Sequence, residues 1–131
     1  MARAARVRSA PVTSNRYSAA TLDHFQHPRN VGRLAAASVV ERLDDQPTET
    51  TIHLYLKLEA GHVVRATFRT FGCSACIAAS SAMTELLVGR GLGQAPSADE
   101  VDAALGGLPT DKRYCAELVA ETARRALAAS P

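Results

Sequence analysis

The centre of the chain contains two runs in which apolar and polar residues alternate with a period of two. The apolar residues of the first run, TIHLYLKLE, are Ile52, Leu54, Leu56 and Leu58. Those of the second run, VVRATFRTF, are Val64, Ala66 and Phe68. A period of two is typical of strands with one buried face, and the Ala60-Gly61 pair between the runs suits a turn. We therefore predict an antiparallel hairpin.

A short helix is predicted before the hairpin. Ser18 is a good N-cap and Pro28 cannot continue a helix, so the helix should occupy residues 19–26. Its apolar residues, Leu22 and Phe25, are predicted to be buried.

The second half of the chain has a helical pattern. Residues 74–88 contain no Gly or Pro, Ser97 and Glu100 form a capping box, and a last helix begins near Asp111. Between the first helix and the hairpin, residues 38–43 are weakly β-like. Strands and helices are thus segregated along the chain. This order indicates an α+β fold, a small antiparallel three-stranded sheet with helices packed on one face.

Charge and composition exclude several classes of function. The 131 residues carry a net charge of +2 without a basic stripe interleaved with aromatic residues, so we expect no nucleic-acid partner. No apolar run approaches the roughly 20 residues of a membrane span, so we expect no membrane partner either. Residues 1–16 contain four arginines and no acid. We predict a disordered basic tail there, followed by one domain over residues 17–131.

The tail and the cysteine count both bear on localisation. The Arg-rich, acid-poor tail resembles an organellar transit peptide. The chain has three cysteines, an odd number that disfavours a secreted disulfide framework and favours a reducing compartment. We therefore expect a cytoplasmic protein, with an organellar one as the alternative.

The cysteines are the strongest chemical signal in the sequence. Cys73 and Cys76 lie where the hairpin gives way to a helix, and Cys115 lies at the start of the last helix, beside Lys112 and Arg113. Helix N-termini and nearby cations stabilise thiolates, the form that binds soft metals or attacks sulfur. From spacing alone, these cysteines are buried packing residues, a metal or cluster site, or a redox group.

Other polar residues carry weaker signals. The four histidines are His24, His27, His53 and His62. None stands at ligand spacing from a cysteine, so we predict solvent-facing or capping positions for them. Lys57, Arg65 and Arg69 follow the polar phase of the hairpin. They predict a solvated sheet face, with a docking surface for an acidic partner as the alternative.

Three stretches resemble the NifU N-terminal family, the group that includes IscU and SufU. YSAATLDHFQHPRNVG, from residue 17, resembles the family's opening of Tyr-Ser, a short helix and Pro-Arg-Asn-x-Gly. FGCSACIAASSAMTELL, from residue 71, resembles the segment around the family's second cysteine, and LPTDKRYCAEL, from residue 108, the segment around its third. The stretches follow the family's order and spacing over about residues 17–128.

The resemblance implies an iron–sulfur cluster assembly scaffold, a carrier rather than an enzyme. Such proteins accept sulfur from a cysteine desulfurase and combine it with iron on three cysteines and an aspartate. They then pass the cluster, expected to be of the 2Fe–2S type, to apo-protein acceptors, and a chaperone is a further expected partner. Cys73 and Cys115 match the second and third cysteines of that site, and Cys115 inherits the role of persulfide acceptor.

Two of the four family ligands are missing from this chain. The family's first cysteine lies in a Cys-Gly-Asp turn, where this sequence reads PTETT. Thr48 or Glu49 replaces the cysteine, and Thr50 replaces the aspartate. The histidine that precedes the third cysteine in much of the family is Tyr114 here.

Cys76 is a gain relative to the family pattern, where a small residue occupies its position. It lies one helical turn from Cys73. Cys76 therefore either supplies a third thiolate to a rebuilt site or only packs in the interior. In a rebuilt site the metal ligands would be Cys73, Cys76 and Cys115, with Asp45, Glu49 or no residue as the fourth.

Three rival functions remain open at this point. A zinc-bound sulfurtransferase of the SufU kind would collect persulfide sulfur from the desulfurase. A degenerate module would dock on the desulfurase without cluster chemistry. In the third rival function, Cys73 and Cys76 would form and break a disulfide as a redox switch.

Overall fold

The computed structural model describes residues 16–128, so the predicted tail lies almost wholly outside the described residues. Within that range the strands are β1 Val39–Asp45, β2 Thr50–Glu59 and β3 His62–Phe71. The α-helices are α1 Ala19–Gln26, α2 Ser74–Leu87, α3 Ala98–Ala104 and α4 Arg113–Ala128, with 3-10 turns at Gln46–Thr48 and Thr110–Lys112. No helix in this part of the chain is both long and apolar enough to cross a bilayer.

The sheet is antiparallel, with strand order β1-β2-β3. The predicted hairpin is present, since β2 pairs with β3 through the turn at Ala60-Gly61. One face of the sheet, which carries Ile52, Leu54 and Leu56, forms a continuous core with α2 and α4. The α+β class and the helices on one face are therefore confirmed.

Small side chains allow α2 to approach the sheet closely. Ala75, Ala78, Ala79 and Ala82 are all at most 1% exposed. Larger side chains such as Met83 and Leu87 fill the remaining space, each contributing about 2 kcal/mol through burial.

The prediction that Val64 faces the core is wrong. Leu58 pairs with Val63 and Lys57 pairs with Arg65, so the register shifts and leaves Val64 as an extra residue in β3. Such a bulge reverses the facing of side chains on one side of it. Val63 is accordingly 1% exposed and Val64 44% exposed.

The predicted burial of α1 is also wrong, although its bounds and the Ser18 cap are correct. Phe25 is 41% exposed and Leu22 is only half-buried, whereas Thr21 and His24 are buried. The reason is that the inward face of α1 is held by hydrogen bonds. The Thr21 hydroxyl donates to the Leu105 carbonyl at 2.8 Å.

His24 therefore does not follow the prediction of a solvent-facing or capping histidine. Its Nδ1 lies 2.8 Å from Ser81 Oγ, which also accepts the backbone N–H of Arg29 at 2.9 Å. The Ser81 hydroxyl can thus donate its own proton to a neutral His24. This contact joins α1 and the following Pro-Arg-Asn turn to α2.

We expect acid to weaken this junction. Burial, and then the Arg29 guanidinium, hold the pKa of His24 below its usual range. The unfolded chain therefore takes up a proton at a pH where the folded protein does not, so the free energy of unfolding falls as pH drops below about 6.5. Urea unfolding at neutral and mildly acidic pH should show a smaller acid loss in His24→Gln than in wild type. Equal losses in the two proteins would contradict this assignment.

Candidate metal centre

The three cysteines meet at one end of the sheet. Cys73 is the N-cap of α2 with extended backbone angles, and its side chain makes no capping hydrogen bond, so the sulfur is free for another role. Cys76 follows in the first turn of α2, and Cys115 lies in the first turn of α4. The fold thus brings together two helix N-termini, where unpaired N–H groups favour thiolate.

The three sulfurs form a compact triangle. The Sγ of Cys73 lies 3.7 Å from both the Sγ of Cys76 and that of Cys115, and the latter two are 2.6 Å apart. Two thiolates bound to one tetrahedral zinc at about 2.3 Å would lie roughly 3.8 Å apart. Two edges of the triangle already match that spacing, and the third would have to widen.

Burial distinguishes the three residues. Cys76 and Cys115 are fully buried, while Cys73 is partly exposed. A reagent or partner approaching from solvent therefore meets Cys73 first. The role of Cys115 as persulfide acceptor stays a prediction, and it requires that sulfur reach a buried thiol past Cys73.

Two hydroxyl groups complete the surroundings of the sulfurs. The Tyr114 hydroxyl lies 3.5 Å from the Sγ of Cys73, and Thr50 Oγ1 lies 3.9 Å from the Sγ of Cys76. The sequence identifies both residues only as replacements of family residues. What points to a role at the site is their position, because Tyr114 directly precedes Cys115 and Thr50 stands where the family has its aspartate.

The backbone of the turn before β2 bears on which residue replaces the missing cysteine. Glu49 adopts the left-handed conformation, with φ 56° and ψ 44°, which suits glycine far better than a residue with a Cβ. This conformation favours Glu49 as the counterpart of the glycine in the Cys-Gly-Asp turn that the resemblance implies. The counterpart of the cysteine would then be Thr48.

The structure does not bring the predicted carboxylates to the sulfurs. Within residues 16–128, the triangle of sulfurs is the one group of three or more potential ligand residues that could share a metal, and it includes no carboxylate. Asp45 instead caps the 3-10 turn, accepting from the Thr48 hydroxyl at 2.7 Å. Asp45 and Glu49 both line an open polar pocket of about 640 Å³.

The geometry also divides the protons among the thiols. Hydrogen bonding from the Cys115 thiol, and then from Cys73, lowers the pKa of Cys76 to about 6 despite its burial. The same contact raises the pKa of Cys115, with burial adding to the effect. The buried pair therefore shares one proton, with the negative charge on Cys76 and the proton on Cys115.

We expect the reduced, metal-free protein to contain one thiolate at neutral pH. Ultraviolet thiolate absorbance should rise around pH 6, and Cys76→Ser should remove that transition. Cys115→Ala should move it to higher pH, since the strongest hydrogen bond to the thiolate is lost. An unchanged transition in Cys115→Ala would show that the charge is not stabilised by this pair.

Comparison with known proteins gives concordant matches. The model of the NifU-like N-terminal domain family matches residues 16–130. The iron–sulfur cluster assembly scaffold protein IscU 1 of Archaeoglobus fulgidus is 39% identical over 113 residues, covering 85% of this chain and 74% of the relative. The nitrogen fixation protein NifU of Cereibacter sphaeroides is 40% identical over 110 residues, covering 82% of this chain and 45% of that longer protein.

A solved structure supports the fold. The crystal structure of a protein described as a putative SUF-system scaffold, from Fervidobacterium islandicum AW-1, superposes with a TM-score of 0.69 and 20% sequence identity. The match covers 88% of this chain and 98% of that one.

Proposed function

Because the chain belongs to the family of NifU-like N-terminal domains, we propose that it is an iron–sulfur cluster assembly scaffold. Its site is the triangle of Cys73, Cys76 and Cys115. The observation that carries the proposal is that these sulfurs, drawn from two helices, all lie within 4.8 Å of one another. Three cysteines that served only as packing residues would not need to converge on one point, nor would one of them, Cys73, need to be partly exposed to solvent.

The donor set suits iron and sulfur. Thiolates are soft ligands and hold iron–sulfur clusters or zinc, whereas carboxylates and hydroxyls suit harder ions. The mutual contacts of the cysteines already favour a thiolate at Cys76. Three thiolates leave the fourth position of a two-iron cluster without a protein thiolate. Such a cluster is held less firmly, which suits cargo that must be passed on to apo-protein acceptors.

We assign the sulfur-accepting step to Cys115, in keeping with the family resemblance. A cysteine desulfurase carries its sulfur as a persulfide, R–S–SH. Cys115 first passes its proton to the Cys76 thiolate that it contacts. Attack of the resulting Cys115 thiolate on the outer sulfur then gives a Cys115 persulfide and releases R–S⁻, so the exchange needs no oxidant or reductant. Because Cys115 is buried, the donor has to reach it from the side of Cys73.

Anaerobic reconstitution with iron, sulfide source and desulfurase tests this function. We expect visible absorption from a bound cluster in the wild-type protein and none in Cys73→Ala or Cys115→Ala. Circular dichroism and a desulfurase-binding assay on the same variants serve as controls for folding and docking. A wild-type protein that binds the desulfurase but stays colourless would contradict the scaffold function and leave the zinc-bound sulfurtransferase or the docking module.

Zinc is the second candidate, and the sulfur spacing is the observation that favours it. The two 3.7 Å edges of the triangle are close to those of a tetrahedral zinc–thiolate site. Three thiolates with an open fourth position would allow a zinc-bound sulfurtransferase to receive persulfide. Metal analysis after anaerobic purification separates the candidates, because one equivalent of zinc favours the sulfurtransferase and iron with labile sulfide favours the scaffold.

A further inference from the structure

The face of the sheet opposite the helices carries several basic side chains. Arg42 and Arg69 flank His53 from the two neighbouring strands, and burial holds the pKa of that histidine below its usual range. Lys57 lies directly opposite Arg65, beside the bulge. Like charges facing each other across strands repel, so the Lys57–Arg65 pair costs stability in the isolated protein.

Few carboxylates offset this charge. Arg42 forms an ion pair with Asp44 at 3.0 Å. Within the described residues, Lys57, Arg65 and Arg69 have no carboxylate within ion-pair distance. The Arg69 guanidinium instead lies over the Phe71 ring, 5.5 Å from its centre. It is thus held in place while its charge remains available.

An apolar groove lies beside Arg69. Its lining includes Pro28, Val31, Phe71 and Ile77, and its volume is about 240 Å³. Val31 is 59% exposed and Phe71 is 53% exposed. Because Arg69 also lines the groove, the groove adjoins the basic sheet face.

We propose that this groove and the adjoining basic face dock an acidic protein segment that carries one large apolar anchor residue. The anchor fills the space between Val31, Phe71 and Ile77, and carboxylates flanking it pair with Arg69 and Arg65. Binding relieves the repulsion across the sheet, so the charge pattern that weakens the free protein strengthens the complex.

The groove suits a peptide better than a nucleic acid. Apart from Arg69 and Thr70, its walls are aliphatic and phenylalanine side chains, and Phe71 is the one exposed aromatic ring among them, whereas single-stranded nucleic acids are bound on several aromatic platforms along a basic track. The outer edge of β3 is already occupied, because Gly32 donates to the Phe68 carbonyl and Asn30 accepts from the Phe68 N–H. The segment therefore binds through side chains rather than as an added strand.

A charge-matched pair of variants tests the proposal in the full-length protein. The probe is a fluorescent peptide with a central Phe flanked by Asp and Glu, measured by anisotropy at low salt. We expect Arg65→Glu/Arg69→Glu to weaken binding by about tenfold or more, as expected when charge pairs are reversed. Arg124→Glu/Arg125→Glu on α4 changes the net charge equally, at exposed arginines that pair with Glu121, and should bind like the wild type.

A second readout tests where the peptide binds. Burial, followed by Arg42 and Arg69, lowers the pKa of His53, so a bound acidic peptide should raise that pKa in an NMR titration.

Three further probes test the chemical class of the ligand. They are a peptide with Lys in place of each acidic residue, an oligonucleotide of equal charge, and phosphatidylserine vesicles. Equal weakening in both Arg pairs, tighter binding of oligonucleotide or vesicles than of the acidic peptide, or no binding to the acidic peptide would overturn the proposal.

Discussion

Replacing Cys76 with alanine is expected to abolish stable cluster binding. The thiol lies 3.7 Å from Cys73 and 2.6 Å from Cys115, and it is the member of the triangle that holds the negative charge. The variant keeps only two thiolates, with the Thr50 hydroxyl as a poor substitute. In metal sites generally, removing a residue that only hydrogen-bonds to a ligand reduces metal affinity about 10–100-fold. Removing a ligand itself should cost more, so we expect metal affinity to fall on the order of 100-fold or more here. Competition with a coloured chelator measures it directly.

Packing must be separated from ligation in this experiment. Cys76 is fully buried, and removing a group of that size costs about 1 kcal/mol of folding stability. Cys76→Val fills the space without a metal ligand and serves as the matched control. If ligation is the function, both variants lose the metal although the valine variant restores stability. Metal affinity that remains at the wild-type level in both variants would establish Cys76 as a packing residue.

Most of the fold could be predicted from the sequence because local and long-range preferences agree. The alternation in TIHLYLKLE, the Ser97/Glu100 capping box and the cap at Ser18 all appear as the pattern predicts. In the strand and in α3, the residues that favour the local structure also place apolar side chains such as Leu54 and Val101 towards one core.

The errors arise where a tertiary contact competes with the apolar pattern. Val64 is apolar and in phase, yet the bulge beside Lys57 turns it outward. Phe25 looks like the core residue of α1, but the bonds from Thr21 to Leu105 and from His24 to Ser81 fix the opposite face inward. Periodicity contains no information on where a bulge shifts the register, nor on the partners of Thr21 and His24, which lie more than fifty residues away.

The thiols and helix ends alone leave packing, metal binding and redox chemistry open for the cysteines. The family resemblance implies that Cys73 and Cys115 share one site, and the structure places their sulfurs 3.7 Å apart. That Cys115 is buried behind Cys73 depends on how α2 and α4 pack, which periodicity does not give. Likewise, the preference for Thr48 over Glu49 as the counterpart of the missing cysteine rests on the left-handed backbone at Glu49.

Restoring the family's turn is expected to rebuild the site and to make Cys76 dispensable. Thr50 Oγ1 lies 3.9 Å from the Sγ of Cys76, and Thr48 Oγ1 lies 3.0 Å from Thr50 Oγ1. The side chain at position 50 therefore borders the sulfurs, and the one at position 48 lies next to it. The triple variant Thr48→Cys/Glu49→Gly/Thr50→Asp supplies a thiolate and a carboxylate there. We expect the reconstituted cluster to survive chelator about tenfold longer, an increment of about 1.4 kcal/mol.

The triple variant also has an expected cost that identifies the mechanism. Position 50 is 2% exposed, so a carboxylate there is destabilising by a few kcal/mol until metal neutralises it. Metal should accordingly raise the melting temperature more in the triple variant than in the wild type. Glu49→Gly alone relieves the left-handed strain and should stabilise the metal-free protein by about 1 kcal/mol.

The decisive combination adds Cys76→Ala to the triple variant. Cluster formation there means that Cys76 replaces the lost thiolate in the natural chain, whereas a colourless protein means that the restored turn cannot take over the place of Cys76 at the metal.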